Sequence, residues 1–477
     1  MGSGKVTDWQ GKHVTVAGLG VSGVPAAKVL HGLGARVTVV NDGDDDRARA
    51  QAAELEALGV TVRLGDGDTL PEGTELIVTA PGWKPDKPLF GAAGQAGVPV
   101  WGDVELAWRL RGRDGKEPAP WLAVTGTNGK TTTVQMLASI LKAAGLRTAA
   151  VGNIGVSLLD AVLGDEQYDV LAVELSSYQL HWAPSLRAHS AAVLNLAPDH
   201  LDWHGSMEAY AADKGRVYEG NRVACVYNVA DKLTEDLVRE ADVEEGCRAI
   251  GFTLGAPAPS QLGVVDGILV DRAFVENRQK NAQELAEVSD VDPPAPHNIA
   301  NALAAAALAR AFGVPPQAVR DGLRAFTPDA HRIAKVAELE GVTYVDDSKA
   351  TNTHAAEASL ASYESIVWIA GGLAKGATFD ELVAKSAKRL RAAVLIGADR
   401  ALIREALARH APEVPVVDLD RTDTGAMLQA VTEAKRLAVA GDTVLLAPAC
   451  ASMDMFTNYN QRGDAFAEAV RELGAGA

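Results

Sequence analysis

One short stretch, TGTNGKTT at residues 125–132, combines the residue types that bind the phosphates of a nucleotide. Its glycines, Gly126 and Gly129, let the backbone approach a phosphate closely, and the helical pattern that begins at Lys130 supplies free backbone N–H groups. Lys130 can neutralise the terminal phosphates, and a threonine hydroxyl can hold Mg²⁺. Two residues separate the glycines, where the common P-loop has four. The stretch therefore predicts a shortened phosphate-binding turn between a strand and a helix.

A second glycine turn, GLGVSG at residues 18–23, follows a predicted strand and opens a helical pattern, and Asp42 ends the next predicted strand. This G-x-G-x-x-G pattern binds a diphosphate at a helix N-terminus. Alone it is compatible with an NAD-dependent dehydrogenase, and equally with any other ligand in which a diphosphate adjoins a ribose. A dehydrogenase has no use for an ATP-binding turn, so the two turns together favour a kinase or ligase that acts on a nucleotide-linked substrate.

Both turns lie in a chain whose short β-rich runs alternate with longer, alanine-rich helical patterns, which is typical of parallel sheets joined by crossover helices. The predicted strands cover residues 13–17, 36–40, 61–64, 76–79, 121–125, 170–174, 191–196, 343–345, 366–370, 393–396, 414–417 and 443–446. A helix is predicted at 298–312, and the polar, proline-containing stretch 111–120 indicates a linker. The sequence predicts an α/β fold with three domains: a Rossmann-like N-terminal domain (1–108), a central P-loop-type ATPase domain with a parallel sheet (109–328) and a Rossmann-like C-terminal domain (329–477).

The length of 477 residues suits about three domains of roughly 150 residues each. The 62 acidic residues outnumber the 45 basic ones, and the net charge of −17 argues against binding to nucleic acid, whose phosphates such a surface repels. The three cysteines are far apart and match no disulfide or zinc spacing, which favours a reduced, cytoplasmic protein. No apolar stretch reaches the roughly 20 residues that span a bilayer, and the N-terminus shows no hydrophobic signal segment. We therefore expect neither nucleic acid nor a membrane as a partner.

Seven motifs, in order along the chain, resemble those of the Mur ligase family, and the shortened glycine turn is also similar to that of the folylpolyglutamate synthetases. The motifs are TGTNGKTT (125–132), AVELSSYQ (172–179), NLAPDHLD (195–202), HNIAN (297–301), DDSKATN (346–352), GGLAKG (371–376) and PACAS (448–452). The last three, together with the GLGVSG turn, are most similar to the members of that family that add D-glutamate. The resemblance covers essentially the whole chain.

The resemblance implies an ATP-dependent amide ligase of peptidoglycan precursor synthesis that forms ADP and phosphate. The implied reaction adds D-glutamate to UDP-N-acetylmuramoyl-L-alanine through an acyl phosphate, because a carboxylate needs a better leaving group than oxide before an amine can displace it. The implied enzyme is cytoplasmic and is expected to be a monomer. Two alternatives stay open: a related Mur or folylpolyglutamate-type ligase with another amino acid, and an NAD-dependent oxidoreductase. A folate substrate would not need the N-terminal Rossmann-like domain, which disfavours a folylpolyglutamate-type ligase.

The resemblance also implies roles for individual residues of this sequence. The implied catalytic residues are Lys130, His200 and Lys214. The implied ATP contacts are Gly126, Asn128, Gly129, Lys130, Thr131, Thr132, Asn298, Asn301, Arg332 and Asp347. The implied Mg²⁺ ligands are Thr131, Glu174, His200 and Lys214, the last as a carbamate formed with CO₂. The implied substrate contacts are Val21, Ser22 and Asp42 for the uridine diphosphate, Asn153 for the muramyl group, Thr351, Lys375, Ser452 and Tyr459 for D-glutamate, and, with no part of the substrate specified, Ser176 and Gln179. Because Arg332 and Asp347 come from the third predicted domain, the resemblance further implies domain closure around ATP.

Without the resemblance, several of these residues have ordinary structural explanations. Glu174 ends a predicted strand, where a carboxylate can equally ligate Mg²⁺ or cap a helix. A single histidine such as His200 is more often structural than catalytic, and Lys214 is expected to be a solvated helix lysine. Asn298 suits a helix N-cap. A carbamate forms only on a neutral amine, so its formation requires that the site lower the pKa of Lys214 through desolvation or neighbouring positive charge.

Overall fold

A computed structural model describes residues 8–112, 117–421 and 423–475 of the chain. The chain divides into two compact units, of which the first contains residues 1–291 with 300–326 and the second contains residues 292–299 with 327–477. The predicted linker at 111–120 lies partly outside the described residues. Strands and helices alternate along both units and build three sheets, which confirms the predicted α/β fold class.

The first sheet is entirely parallel, with the strand order β3-β2-β1-β4-β5. Its strands are β1 (His13–Ala17), β2 (Arg36–Asn41), β3 (Thr61–Leu64), β4 (Leu76–Thr79) and β5 (Val100–Gly102). Its helices are α1 (Gly23–Gly32), α2 (Asp46–Glu56), α3 (Pro88–Ala96) and α4 (Asp103–Leu110). The strand order reverses beside β1, and in open α/β sheets this is where ligands bind, beyond the carboxyl ends of the strands. The glycine turn at 18–23 leaves β1 at that end.

The second sheet has nine strands in the order β14-β13-β12-β11-β10-β9-β6-β8-β7. They are β6 (Trp121–Thr125), β7 (Ala150–Gly152), β8 (Leu171–Glu174), β9 (Ser190–Val193), β10 (Ala224–Asn228), β11 (Arg248–Phe252), β12 (Gln261–Val265), β13 (Ile268–Asp271) and β14 (Gln283–Glu287). The accompanying helices are α5 (Lys130–Ala143), α6 (Leu158–Leu163), α7 (Ser177–His181), α8 (Leu201–His204), α9 (Met207–Gly215), α10 (Lys232–Glu240), α11 (Pro296–Ala311) and α12 (Pro316–Ala325). The seven strands from β6 to β12 all pair in parallel. The strands β13 and β14 extend one edge of the sheet in antiparallel pairing.

The third sheet lies in the second unit and has the strand order β15-β16-β20-β17-β18-β19. Its strands are β15 (Ala334–Leu339), β16 (Val342–Asp346), β17 (Ile366–Gly371), β18 (Leu390–Ile396), β19 (Val416–Asp418) and β20 (Thr443–Leu446). Its helices are α13 (Thr353–Ala361), α14 (Asp380–Ser386), α15 (Arg400–His410), α16 (Ala426–Leu437) and α17 (Tyr459–Ala475). Only the edge strand β15 runs antiparallel to its neighbour within this sheet.

The sequence-based strands match best where the strand is a buried apolar run. The strands β1, β4, β6 and β20 have the predicted bounds, and all their residues are buried, as expected for parallel strands covered on both faces. Several other boundaries were wrong by one to three residues, and two of them have an identifiable cause. The predicted strand 191–196 ends at Val193, because Leu194 and Asn195 leave the sheet to contact the turn after β6. The helix predicted at 298–312 begins at Pro296, because proline is well suited to the first helical turn.

Apolar side chains from the strands and the flanking helices form the cores of both units. Trp121 on β6 is buried in the first unit and Trp368 on β17 in the second. Of the helices in the described part of the chain, none combines the length and the apolar character that a membrane-crossing segment requires.

Candidate active site

The turn after β6 is a tightly packed loop that only glycine can form at two of its positions. Gly126 has φ +148° and Gly129 has φ +84°, in the region that favours glycine. A Cβ on Gly129 would lie 2.4 Å from Oδ1 of Asn301, which is on α11, and a Cβ on Gly126 would lie 3.1 Å from that of Leu194. The predicted phosphate-binding turn therefore exists as a strand–turn–helix connection, and Asn301 lies directly against it.

Asn195 holds this turn from the neighbouring strand, and the sequence analysis did not identify it. Its side-chain Oδ1 accepts a hydrogen bond from the backbone N–H of Asn128 at 2.8 Å, and its Nδ2 donates to the carbonyl of Asn128 at 3.1 Å. Its own carbonyl accepts from the backbone N–H of Thr127 at 3.0 Å. Asn195 follows the end of β9, which pairs with β6. Its place in the NLAPDHLD motif, near the end of a predicted strand, was the sequence feature that could have indicated this role.

Two lysine side chains converge on the carbonyl oxygen of Gly126. Lys130, the first residue of α5, donates from Nζ to the carbonyls of Gly126 and Thr127, both at 2.9 Å. Lys214 on α9 donates from Nζ to Gly126 O at 2.9 Å and to Thr125 Oγ1 at 3.4 Å. The turn after β6 thus brings together two of the three residues predicted to be catalytic.

Lys214 is buried, with only 2% of its surface exposed, so the expectation of a solvated helix lysine was wrong. The described residues place no carboxylate within ion-pair distance of its Nζ atom. Burial lowers the pKa of Lys214 well below the ordinary lysine value, and the positive charge of Lys130 acts in the same direction. The neutral amine, which a carbamate requires, is therefore favoured at this position.

Glu174 ends β8, and its register partner on β6 is Val124, one residue before the glycine turn begins at Thr125. Its Oε1 atom accepts a hydrogen bond from Nδ2 of Asn153 at 3.0 Å. The backbone N–H of Asn153 also donates to the carbonyl of Glu174 at 3.0 Å. Two hydrogen bonds therefore tie the turn GNIG, residues 152–155, to this strand end.

The second carboxylate oxygen of Glu174, Oε2, is buried and has no hydrogen-bond partner among the described residues. An unpaired buried carboxylate oxygen is costly unless a cation or another donor satisfies it. Mg²⁺ is commonly held by one or two carboxylates while waters and substrate phosphates complete its coordination. Within the described ranges no group of three or more His, Cys, Asp or Glu side chains is arranged to hold a metal by itself. The donor set therefore fits Mg²⁺ that arrives with nucleotide phosphates.

His200 lies at the start of α8 with φ +54°, a left-handed conformation that non-glycine residues rarely adopt. Its Nε2 atom is 3.6 Å from Oδ2 of Asp199, and its ring centroid is 4.9 Å from that of Tyr178. Burial lowers the pKa of His200, and the positive charge of Lys130 contributes to this although Asp199 opposes it. The ring is therefore poised in its neutral form, which can ligate a metal or accept a proton.

Ser176 and Gln179 form a capping box at the start of α7, immediately after β8. Ser176 Oγ accepts from the backbone N–H of Gln179 at 3.2 Å, and Gln179 Oε1 accepts from the backbone N–H of Ser176 at 3.0 Å. The amide of Gln179 also donates from Nε2 to Asp103 at 3.5 Å. Asp103 accepts from the hydroxyl of Ser22 at 3.1 Å, so this carboxylate joins the first glycine turn to α7. Asp103 was not predicted from the sequence to be a site residue.

The first glycine turn is as compact as the second. Gly18 has φ +95°, and a Cβ there would lie 2.5 Å from Nε1 of Trp83. The predicted contact Val21 is 85% exposed at the tip of the turn. Asp42, which follows β2, accepts from Nζ of Lys87 at 2.9 Å. The structure thus places Val21, Ser22 and Asp42 at the carboxyl end of the first sheet, with Trp83 and Lys87 as neighbours that the sequence analysis did not identify.

In the second unit, two loops that carry predicted amino-acid contacts are joined by a pair of backbone hydrogen bonds. The N–H groups of Leu373 and Ala451 each donate to the other residue's carbonyl at 2.9 Å. Lys375, two residues after Leu373, is exposed, and Ser452, directly after Ala451, is buried. The two loops follow β17 and β20, which are adjacent strands.

Arg462 anchors the same region and was not identified from the sequence. It is 1% exposed, and its guanidinium donates to the hydroxyl of Ser348 at 2.9 Å and to the carbonyl of Cys450 at 3.0 Å. Ser348 in turn donates from Oγ to the backbone carbonyl of Tyr459 at 2.8 Å. Thr351 lies three residues further along the same loop and is half-buried. The predicted contacts Thr351, Ser452 and Tyr459 therefore belong to loops that are tied to one another.

Asp347 is a buried carboxylate of the second unit, beside the predicted phosphate contact Arg332. It accepts hydrogen bonds from the hydroxyl of Ser359 and, at 3.3 Å, from the backbone N–H of Ile333. Burial raises the pKa of Asp347 to about 6, against the opposing effects of Ser359 and Arg332.

Asn298 lies within the first turn of α11 and is not its N-cap, so the structural explanation offered for it was wrong. It is buried, and its Nδ2 atom donates to the carbonyl of Pro293 at 3.3 Å. The remaining predicted contacts on α5 are Thr131, which is half-buried, and Thr132, which is buried.

Family models match most of the chain. The Mur ligase middle domain matches residues 124–309, and the Mur ligase glutamate ligase domain matches residues 331–450. The pyridine nucleotide-disulphide oxidoreductase model matches residues 13–68, which contain the first glycine turn.

Curated relatives are similar over nearly the full length. The UDP-N-acetylmuramoylalanine–D-glutamate ligase of Streptomyces coelicolor is 90% identical over 98% of this chain and 100% of its own length. The enzyme of the same name from Thermobifida fusca is 59% identical over 97% of this chain and 99% of its own. Among solved structures, a pseudomurein peptide ligase type C from Methanothermus fervidus superposes with a TM-score of 0.57 at 18% identity, covering 97% of this chain and 100% of the other, which indicates a shared fold.

Proposed function

The chain belongs to the Mur ligase family, and we propose that it is an ATP-dependent ligase that adds D-glutamate to UDP-N-acetylmuramoyl-L-alanine in peptidoglycan precursor synthesis. The observation that carries this proposal is the near-identity, along almost the whole chain, with a relative named for that reaction. The geometry supports it, because a phosphate-binding turn, two lysines and a carboxylate with an unpaired oxygen adjoin one another at the ends of β6 and β8.

The chemistry that these groups would serve has two steps. A carboxylate oxygen of the L-alanyl group attacks the γ-phosphorus of ATP, the bond from that phosphorus to ADP breaks, and an acyl phosphate forms. The amine nitrogen of D-glutamate then attacks the acyl carbon, phosphate leaves, and the amine gives up a proton as the amide forms. Phosphoryl transfer depends mostly on positioning and charge neutralisation, so cations around the turn are what this reaction needs.

Lys130 is proposed to neutralise the phosphates that the glycine turn binds. Its Nζ atom donates to the carbonyls of Gly126 and Thr127, which places the positive charge at the turn that would bind the phosphates. The proposed ATP contacts of the first unit are Gly126, Asn128, Gly129, Lys130, Thr131, Thr132 and Asn301. The proposed ATP contacts of the second unit are Asn298, Arg332 and Asp347.

We propose Thr131, Glu174, His200 and a carbamylated Lys214 as the residues that hold Mg²⁺, whose chemistry when bound is to neutralise phosphate charge. The unpaired Oε2 of Glu174 is the observation that favours this set. Lys214 as a free amine has no place among metal ligands, but its neutral Nζ can add to CO₂, losing one proton and gaining a carboxylate. Its burial and the positive charge of Lys130 both favour the neutral form that this requires.

We propose that the substrate contacts divide between the three predicted domains (1–108, 109–328 and 329–477). Val21, Ser22 and Asp42 would bind the uridine diphosphate, with Asn153, Ser176 and Gln179 towards the muramyl-L-alanine end. Thr351, Lys375, Ser452 and Tyr459 would bind D-glutamate, for which a lysine and hydroxyl groups suit the side-chain carboxylate. The bridge from Ser22 through Asp103 to Gln179 supports a continuous binding surface for the nucleotide-sugar substrate within the first unit.

We also propose that the enzyme acts in the cytoplasm as a monomer, without nucleic acid or membrane as a partner. Its three cysteines, Cys225, Cys247 and Cys450, are free thiols, the usual state in a reducing compartment. The acidic net charge of −17 disfavours polyanions.

The oxidoreductase alternative has little support beyond the first glycine turn. The oxidoreductase family model covers only residues 13–68, and this Rossmann-type pattern binds diphosphates of several kinds. The folate alternative is likewise not favoured by curated relatives that are named for D-glutamate addition.

The proposal is tested by following ADP release from the purified full-length chain while one reactant at a time is omitted. Release should require ATP, Mg²⁺, UDP-N-acetylmuramoyl-L-alanine and D-glutamate together. A panel of amino acids, with L-glutamate included, tests the identity of the incoming substrate. Turnover that is independent of the muramyl nucleotide, or equal turnover with unrelated amino acids, would overturn the proposal.

A further inference from the structure

A buried carboxylate next to Lys214 organises three segments of the first unit. Asp213 on α9 is 6% exposed, and its oxygens accept hydrogen bonds from Nδ1 of His181, at 2.9 Å to each oxygen, and from Nδ1 of His204, at 2.9 Å. Nε of Arg216 lies 3.1 Å from Oδ1 of the same carboxylate. The donors come from α7, from α8 and from the turn after α9. These contacts play no part in the reaction as proposed above.

The contact between His204 and Asp213 fixes which ring nitrogen carries the proton. Because an ionised carboxylate can only accept, Nδ1 of His204 must be the N–H donor, which leaves Nε2 of the neutral ring as an acceptor. Nε2 lies 2.9 Å from the hydroxyl of Ser177. His204 therefore links Asp213 to Ser177 through its two ring nitrogens. The His204 side chain has no exposed surface. Since no substrate can reach that ring, its role is to position other groups.

Each end of this chain of contacts is within three residues, along the sequence, of a residue proposed above to hold Mg²⁺. Ser177 begins α7, three residues after Glu174, and Asp213 directly precedes Lys214. The third residue, His200, is reached through an aromatic ring. The ring of Tyr178 is stacked on that of His204, with centroids 5.6 Å apart and planes 6° apart, and also packs against His200 at 4.9 Å.

We propose that Asp213 is a positioning residue that, through His204, holds the segments carrying Glu174, His200 and Lys214 in the arrangement that binds the metal–nucleotide complex. This inference rests on the proposed function for the identity of the metal site. Groups beyond the direct ligands that orient them commonly change metal affinity or activity by about 10- to 100-fold when they are replaced.

The test compares Asp213→Asn with a matched control, Asp271→Asn. Asp271 is also a fully buried carboxylate of the first unit, and it pairs with Arg310 at 3.0 Å and accepts two backbone N–H groups, but it lies at the end of β13. Binding of Mn²⁺ together with a non-hydrolysable ATP analogue is measured by electron paramagnetic resonance and by calorimetry, and folding by circular dichroism. We expect Asp213→Asn to weaken Mn²⁺ binding about 10-fold or more, and Asp271→Asn to leave it within 2-fold of wild type while lowering the melting temperature.

Two substitutions of His204 keep the inference testable if Asp213→Asn does not fold. Asparagine can place its amide where Nδ1 lies, so His204→Asn keeps the hydrogen bond to Asp213 but loses the hydrogen bond to Ser177. Glutamine can place its amide where Nε2 lies, so His204→Gln keeps only the hydrogen bond to Ser177. Both should weaken Mn²⁺ binding, because each breaks the chain of contacts once. Wild-type affinity in a folded Asp213→Asn or in both His204 variants would overturn the inference. Failure of the proposed function would appear separately, as wild-type protein that binds Mn²⁺ and the analogue but does not release ADP with D-glutamate.

Discussion

Lys130 and Lys214 donate hydrogen bonds to the same atom, the carbonyl oxygen of Gly126, each at 2.9 Å. Two ammonium groups so close to one another repel, and burial of Lys214 adds to the cost of its charge. This repulsion disappears if Lys214 is neutral, and it becomes an attraction if Lys214 is an anionic carbamate beside a positive Lys130. This one carbonyl therefore links the phosphate-binding turn to the proposed modification of Lys214.

Replacing Lys130 with alanine should lower the rate of ATP-dependent ligation at least about 100-fold, the scale seen when a donor to developing charge is removed. The reason is the loss of the only cation that the turn itself supplies. Lys142→Ala is the matched control, since Lys142 is an exposed lysine near the other end of the same helix, α5. Steady-state ADP release measures both. A Lys130→Ala variant with near wild-type turnover would contradict the phosphate role.

Gly129→Ala should abolish detectable binding of ATP in calorimetry. A Cβ at Gly129 would lie 2.4 Å from Oδ1 of Asn301, and the residue's φ of +84° disfavours alanine as well. Gly145→Ala separates these two causes, because Gly145, just beyond the end of α5, has a similar φ of +78° but open space around its Cβ position. We expect Gly145→Ala to cost about 1 kcal/mol of stability and to bind ATP normally. Equal losses of ATP binding in both variants would show that the contact with Asn301 is unimportant.

Lys214→Ala should be slow but folded, and small carboxylic acids such as acetate or formate should restore part of its activity by replacing the carbamate oxygens. Lys130→Ala should show no such rescue, because a carboxylate cannot replace a cation. For the wild-type chain, removing dissolved CO₂ should lower turnover and bicarbonate should restore it. A ¹³C NMR signal from the protein in ¹³C-bicarbonate reports the carbamate itself. A folded Lys214→Ala variant that no carboxylic acid stimulates would argue against carbamylation.

Asp347 should make the stability of the protein depend on pH in a defined direction. Burial raises its folded pKa from 3.8 to about 6, so between these values the folded state holds more protons than the unfolded state, and stability falls as pH rises. The cost is complete above pH 6 and amounts to about 3 kcal/mol at 1.36 kcal/mol for each pKa unit. Asp347→Asn should therefore gain stability relative to wild type between pH 4 and pH 7, as measured by urea unfolding.

The control for Asp347 is Glu413→Gln, which removes an exposed carboxylate of the same unit. The difference in stability between this control and wild type should stay constant over the same pH range. If the difference between Asp347→Asn and wild type also stays constant, the folded pKa of Asp347 is not raised, and the burial argument for this carboxylate fails.

Much of the fold was predictable because its central strands are short apolar runs bounded by glycine or polar residues. The bounds of β1 and β6 follow from such runs, and the glycine turns that leave them follow from local residue types. Contacts between segments distant in the sequence could not be predicted in this way. Asp103 and Asn195 act by joining separate loops, and nothing in their local sequence specifies the partner.

The burial of Lys214 illustrates the same limit. Its helix, α9, has the polar residues of a surface helix, and the local sequence favours a solvated lysine. Burial arises because the start of α9 packs Tyr210 against the glycine turn, where the Tyr210 hydroxyl and Thr127 Oγ1 share a hydrogen bond at 3.0 Å. Only the resemblance to a family pointed to this lysine and, through the implied carbamate, to a lowered pKa; the contacts that bury the side chain come from segments distant in the sequence.

In the proposed reaction a substrate carboxylate is activated by phosphorylation and then captured by D-glutamate. The most direct measurement uses UDP-N-acetylmuramoyl-L-alanine labelled with ¹⁸O in both oxygens of the alanyl carboxylate, with ATP, Mg²⁺ and D-glutamate. We predict one ¹⁸O atom in each molecule of released phosphate and one in each molecule of amide product, both read by mass spectrometry. Phosphate that carries no ¹⁸O while the amide product forms would rule out an acyl phosphate intermediate.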